Sequence, residues 1–154
     1  MTFRIGETDA FLPLADLLLQ CGLEVTAGES LPPDTLKMWR CEDEVGNLIG
    51  AATLRRTNGC YVLDNLAVAE KNRCGGIGVQ LMDTVLEEVK ARGAAEIWGC
   101  AKVPEYYLTK GWDKAAPEDT PEIFHCLTCW QYQVSCFPCI IRKALRDDDH
   151  TDVL

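Results

Sequence analysis

NRCGGIG, residues 72–78, places three glycines behind an arginine, and its reading decides the fold. An apolar run, Leu63 to Val68, precedes it. After it Leu81, Met82, Val85, Leu86 and Val89 recur at helical spacing, with Asp83, Glu87, Glu88 and Lys90 on the other faces. A strand, a glycine-rich loop and a helix therefore follow one another. That order makes an anion site, because a helix N-terminus offers free N–H groups and about half a positive charge. Glycine admits positive φ and lets the backbone approach a phosphate. Arg73 adds a cation that can pair with phosphate through two N–H groups.

Three loop types compete for this stretch. A P-loop needs Gly-x4-Gly-Lys-Ser/Thr, and no lysine follows Gly78. The dinucleotide pattern G-x-G-x-x-G/A finds Gly76 and Gly78 but has Leu81 in third place. Glu96 does stand where a ribose contact would lie. However, the strands before this loop are linked as hairpins, whereas a Rossmann unit begins its sheet with the loop. The third pattern, R-x-x-G-x-G, is met by Arg73, Gly76 and Gly78.

Upstream, Thr2 to Ile5 reads as a short strand and Glu7-Thr8-Asp9 as a helix start. Phe11, Leu12, Ala15, Leu18 and Leu19 fall on one helical face, and Gly22 is placed to end that helix. Gly28 to Thr35 is a loop. Met38 to Glu42 and Leu48 to Arg55 read as strands joined around Gly46-Asn47. Asn58-Gly59 forms a second tight turn into the strand Tyr61 to Val68. Three strands thus form an antiparallel meander. Downstream, Gly93 ends the long helix, Glu96 to Cys100 is a strand, and Pro104 to Lys110 is a short helix closed by Gly111. A strand is expected near Ile123 to Leu127 and a basic helix over Ile140 to Arg146. The acidic tail is expected to be disordered.

Composition sets outer limits. The chain has 154 residues, 47% hydrophobic and 25% charged, which suits one globular domain with a core. A net charge of -9 repels phosphate backbones and argues against nucleic acid as a partner. No apolar run approaches the roughly 20 residues of a membrane span, and the first residues lack the pattern of a signal peptide. Nine cysteines, an odd number, fit a reduced, cytoplasmic protein.

With these elements in place the sequence resembles the GNAT family of acetyl-CoA-dependent N-acetyltransferases. The likeness rests on LDNLAVAEKNRCGGIGVQLMDTVLEEVKARGAAEIW, residues 63–98, and EYYLTKGW, residues 105–112. The first is similar to the family's strand, pyrophosphate loop and helix. The second is similar to its F-Y-x-x-x-G-F stretch, with Tyr106, Tyr107, Gly111 and Trp112 on the matching positions. The likeness covers roughly residues 2 to 127. It implies an α/β (α+β) fold: a mixed, mostly antiparallel sheet flanked by helices. It implies that main-chain N–H groups of Cys74, Gly75, Gly76, Ile77, Gly78 and Val79, with Arg73, hold the pyrophosphate of acetyl-CoA. Main-chain groups of Leu66, Ala67 and Val68 would pair with the pantetheine arm as a further strand does, and an N–H there would polarise the thioester carbonyl.

The implied reaction is direct attack of a small-molecule or peptide amine on the thioester. Tyr107 is the candidate acid for the leaving thiolate. Asp64 is the candidate base, with water as the alternative carrier of the amine proton. The family sets its acceptor through the loop at Gly28–Thr35 and the C-terminal segment. The sequence departs from the family after Glu96, where IWGCAKVP lacks the usual asparagine. It also departs in the short link to Tyr106 and at Cys74 and Gly75.

Cys126, Cys129, Cys136 and Cys139 form two C-x2-C pairs, a set able to hold zinc as thiolates. The spacer of six residues is short for such a site. Reduced cysteines packing an extension, and a redox pair, are the other readings. The domain organisation expected is an acetyltransferase domain over 1–127, a cysteine-rich extension over 128–146 packed on it, and an acidic tail over 147–154. A non-catalytic acyl-CoA sensor and a metal- or redox-responsive protein are the alternative functions. Nothing in the sequence specifies oligomeric state, and a homodimer is compatible with it.

Overall fold

The meander expected before the glycine run is present. The computed structural model describes residues 2–21, 34–73, 75–101, 104–124 and 139–145. In chain order its regular elements are β1 (Phe3–Thr8), α1 (Phe11–Gln20), β2 (Thr35–Asp43), β3 (Leu48–Thr57), β4 (Cys60–Val68), α2 (Ile77–Ala91), β5 (Glu96–Ala101), α3 (Pro104–Leu108), β6 (Asp113–Lys114) and β7 (Cys139–Ala144). Seven strands take the order β1-β2-β3-β4-β5-β7-β6. The pairs β1/β2, β2/β3, β5/β7 and β6/β7 are antiparallel. β4 reaches β5 through α2, the strand–helix–strand link that parallel neighbours need, so the sheet is mixed. Among the described residues no helix is long and apolar enough to cross a membrane.

The two hairpin turns follow from local chemistry. Asn58 and Gly59 both have positive φ, 50° and 79°, which is what a two-residue turn between twisted strands requires. At the first hairpin the Asp43 carboxylate accepts from the N–H groups of Val45 and Asn47, at 3.0 and 2.8 Å. That is the self-bonding that makes Asp a turn residue.

The chain divides into two compact units, residues 1–56 with 63–88, and residues 57–62 with 89–154. In the first unit, α2 buries Ile77, Leu81, Met82, Val85 and Leu86, the face that its periodicity predicts. Gly50 on β3 sets how close the helix comes. A Cβ at Gly50 would lie 3.0 Å from Leu81 Cδ1, 3.1 Å from Ile77 Cγ2 and 3.2 Å from Cys41 Cβ. Lys37 on β2 pairs with Glu7 of β1 at 3.0 Å and with Glu88 of α2 at 2.9 Å. In the second unit, Val62, Trp98, Ile123, Phe124 and Ile140 form a core cluster, with Cys60, Cys100 and Ala115 packed against it.

Three expectations are corrected. Ile140 to Arg146 is not a helix, because Cys139–Ala144 is a strand on β5. Ile140 and Ile141 are both buried on opposite sides of that strand, and so short an apolar run has no period to separate helix from strand. Of the strand expected near Ile123 to Leu127, Ile123 and Phe124 are in the core without strand structure, and residues 125–127 lie outside the described residues. Glu7 and Thr8 belong to β1, whose pairing with β2 extends to Thr8↔Met38, and the helix begins later, at Phe11. The buried face of α1 is Phe11, Leu14, Leu17 and Leu18, while Leu12 and Leu19 are exposed. Counting the apolar positions of a leucine-rich helix does not say which of them face the sheet. Gly22 and the acidic tail lie outside the described residues.

Candidate functional site

The glycine turn lies wholly in the first unit. β4 ends at Val68, a short 3-10 turn spans Glu70–Asn72, and α2 opens at Ile77. Gly76 has φ 83° and its carbonyl accepts the first helical bond, from Gln80 N–H at 3.1 Å. It is therefore the cap of α2, in a backbone region that side chains other than glycine resist. The N–H groups of Ile77, Gly78 and Val79 occupy the first helical turn, where no earlier carbonyl exists to receive them. Ile77 is buried against the Gly50 contact, so this turn is anchored. A Cβ at Gly76 would meet no atom of the described residues within 4 Å. First-turn N–H groups and the positive end of the helix are what an anion such as a pyrophosphate needs. Cys74 lies outside the described residues.

Arg73 is exposed, and its Nε–H donates to the carbonyl of Val68 at 3.0 Å. The same carbonyl accepts from the Cys21 thiol at 3.5 Å. Leu66, Ala67 and Val68 form the end of β4, with Ala67 buried and its neighbours half-buried.

Asp64 is also in this unit. Its Oδ1 accepts from Arg55 Nε at 3.0 Å and its Oδ2 from Asn65 Nδ2 at 3.3 Å. Arg55, whose side chain is only 11% exposed, also lies 3.5 Å from Asp34. Burial holds the Asp64 carboxyl above its usual range. Arg55 opposes that shift, and the negative Asp34 adds to it. Raised proton affinity suits a base, but Arg55 competes for the lone pairs on Oδ1. Sequence reading missed this pair, because Arg55 and Asp64 meet only once β3 and β4 are laid side by side.

Tyr107 belongs to the second unit, on α3. The EYYLTKGW stretch folds into a helix stop. Trp112 N–H bonds the Tyr107 carbonyl at 3.1 Å and Gly111 N–H bonds the Leu108 carbonyl at 3.4 Å, with Gly111 at φ 90°. These are the two bonds of a Schellman cap, and its usual apolar contact is the Tyr107–Trp112 ring pair, 5.5 Å between centroids at 75°. Tyr106 stacks edge-on to Tyr107 at 5.4 Å. The Tyr107 hydroxyl has no hydrogen-bond partner among the described residues. Burial, and secondarily Tyr106, push it up to about 12. It therefore stays protonated and able to donate.

Of the four clustered cysteines, Cys126, Cys129 and Cys136 lie outside the described residues. Cys139 opens β7 as a free, half-buried thiol. Among the described residues no group of three or more His, Cys, Asp or Glu side chains could hold a metal. An open cleft of about 460 Å³, lined by Glu7, Thr8, Asp9 and residues 35–38, contains none of the expected site residues.

Residues 11–106, more than half of the chain, match the model of the acetyltransferase (GNAT) family. The chain belongs to the GNAT family. No curated protein matches it in sequence. Among solved structures, a GNAT-family acetyltransferase from Staphylococcus aureus superposes with a TM-score of 0.75 at 17% identity, covering 94% of this chain and all of that one. A GNAT acetyltransferase from Elizabethkingia anophelis, solved with acetyl-CoA bound, gives 0.67 at 19% identity, covering 93% and 98%. N-acetylglutamate synthase from Neisseria gonorrhoeae, solved with coenzyme A and N-acetyl-glutamate, gives 0.72 at 20% identity, and this GNAT chain spans only 36% of its length. Identities this low carry the fold alone.

Proposed function

We propose that the chain is an acetyl-CoA-dependent N-acetyltransferase acting on a primary amine. The observation that carries the reading is Gly76, a positive-φ residue that opens α2 shortly after β4, whose carbonyl accepts the first helical bond from Gln80. Gly75 to Val79 hold the pyrophosphate, and Leu66 to Val68 guide the pantetheine arm. The amine nitrogen attacks the thioester carbonyl, a C–N bond forms, the C–S bond breaks, and the amine loses one proton while the thiolate gains one. An alkylammonium, with a pKa of about 10.4, must first lose its proton to Asp64 or to water.

Tyr107 serves the thiolate as a hydrogen-bond donor rather than by complete proton transfer. A phenol held at about 12 is well above a thiol at about 8.5. Moving the proton fully would therefore cost roughly 4–5 kcal/mol. A short hydrogen bond to the anion stabilises it by roughly 1.5–3 kcal/mol without that cost.

A second reading, an acyl-CoA-binding protein without turnover, draws on one observation: Asp64 and Tyr107 each already have a structural partner, Arg55 and the α3 cap. One pair of measurements separates the two. The enzyme binds acetyl-CoA and releases free CoA thiol with at least one member of a panel of amino acids, polyamines and peptides. Binding without thiol release across the panel favours the second reading, and absence of binding removes both.

A further inference from the structure

We infer that Arg73 is a positioning residue for the acyl end of the donor, acting through the Val68 carbonyl and not only on phosphate, with Cys21 as its second support. The inference rests on the acetyl-CoA reading above. A carbonyl oxygen has two lone pairs. At Val68 one receives Arg73 Nε–H at 3.0 Å and the other the Cys21 thiol at 3.5 Å. The N–H of the same peptide, that of Ala69, donates to the Ile49 carbonyl at 2.8 Å. The peptide that ends β4 is thus tied to three elements: the glycine turn through Arg73, the end of α1 through Cys21, and β3 through Ile49. Cys21 is itself fixed, because its N–H bonds the carbonyls of Leu17 and Leu18 at 3.0 and 3.2 Å.

Two consequences follow for the donor. The Val68 carbonyl is already saturated, so an arm laid along β4 must take its hydrogen bonds from other main-chain groups. Fixing this peptide anchors the C-terminal side of Val68, so that only φ of Val68 is left to set the direction of the Val68 N–H, the donor that would face the thioester carbonyl. Arginine can do this while still facing phosphate. Its Nε–H holds the carbonyl and its terminal N–H groups remain on the far side of the planar fork. A lysine carries all its donors on one nitrogen, so it lacks the planar fork that faces two partners on opposite sides.

The test has one arm without ligand and one with a truncated donor. In the free protein, Arg73→Lys and Arg73→Gln should speed hydrogen exchange of the Ala69 amide about tenfold, and Cys21→Ala about threefold, as expected for losing one modest hydrogen bond. Exchange along β1 and β2 should not change. With S-acetylpantetheine, which has no pyrophosphate, Arg73→Gln should still lower kcat about tenfold. Unchanged Ala69 exchange in both Arg73 variants overturns the inference, as does a penalty confined to full-length acetyl-CoA. If the wild-type protein neither binds acetyl-CoA nor turns over either donor, the donor reading fails, and the exchange arm alone then decides whether Arg73 braces the strand end.

Discussion

Gly76 and Gly111 have nearly the same backbone, φ 83° and 90°, and opposite surroundings. Gly76 starts α2, and a Cβ there would touch nothing within 4 Å. Gly111 stops α3, and a Cβ there would lie 2.7 Å from Lys143 Nζ. That ammonium in turn donates to the Lys110 carbonyl at 3.1 Å, one of the carbonyls left over at the end of the helix. Both positions require glycine for its positive φ. Only at Gly111 does the rest of the protein fill the space that the missing side chain leaves.

The largest expected effect tests the open side. Gly76→Val puts a β-branched side chain in the cradle and strains φ, so acetyl-CoA affinity, measured by calorimetry, should fall at least a hundredfold. The protein should remain folded, at a cost of about 1–2 kcal/mol for the forced backbone. Wild-type affinity in this variant would break the comparison.

Gly111→Val tests the filled side. The same backbone strain applies, and Lys143 must also leave the helix end, which adds roughly 0.5–1 kcal/mol. Denaturant titration should therefore show a loss of about 1.5–3 kcal/mol. A loss no larger than that of Gly76→Val would mean that Lys143 moves without cost.

How far each glycine could be read in advance differs in a physical way. The cap at Gly111 is local: Tyr107, Leu108, Gly111 and Trp112 make all its bonds within six residues, so the spacing in EYYLTKGW already encodes it. The same holds for the Asn58-Gly59 turn and for the apolar stripe of α2. Lys143 is 33 residues from the carbonyl it caps, and Cys21 is 47 residues from Val68. No sequence pattern records such contacts, because they exist only once strands and helices have been assembled. The misread stretch at Ile140 failed for a related reason. Two adjacent isoleucines fit a helix or a strand equally well until β5 lies beside them. Of the candidate site, the glycine turn before α2 was legible because glycine, arginine and helix start are neighbours. The Arg55 clamp on Asp64 and the double bond to the Val68 carbonyl depend on tertiary placement.

Tyr107 is where the two kinds of surroundings meet, since its ring completes the cap while its hydroxyl has no hydrogen-bond partner among the described residues. Tyr107→Phe keeps the ring contact and removes only the hydroxyl. Turnover should fall about ten- to a hundredfold, the worth of one hydrogen bond to an anion, with acetyl-CoA affinity unchanged. The same variant has a signature in alkali. Tyr107 has its folded pKa raised from 10.0 to about 12, so the stability it contributes is complete below about pH 10. That stability is lost as pH rises toward 12. The phenylalanine variant should lack that part of the alkaline decline. Equal alkaline profiles would show that the hydroxyl is better solvated than its surroundings indicate.

The smallest effect is the sharpest test of what fills the space at Gly111. Lys143→Met keeps the aliphatic stem and deletes the ammonium, so it removes only the bond to the Lys110 carbonyl. Because that bond is exposed, the loss in the wild-type background should be about 0.5 kcal/mol. In a Gly111→Ala background the new Cβ has already displaced the ammonium, so the same substitution should cost nothing. The two changes should therefore be non-additive by about the worth of that one bond. If the losses simply add, Lys143 finds an equivalent acceptor when pushed aside, and Gly111 is then required for its backbone alone, as Gly76 is.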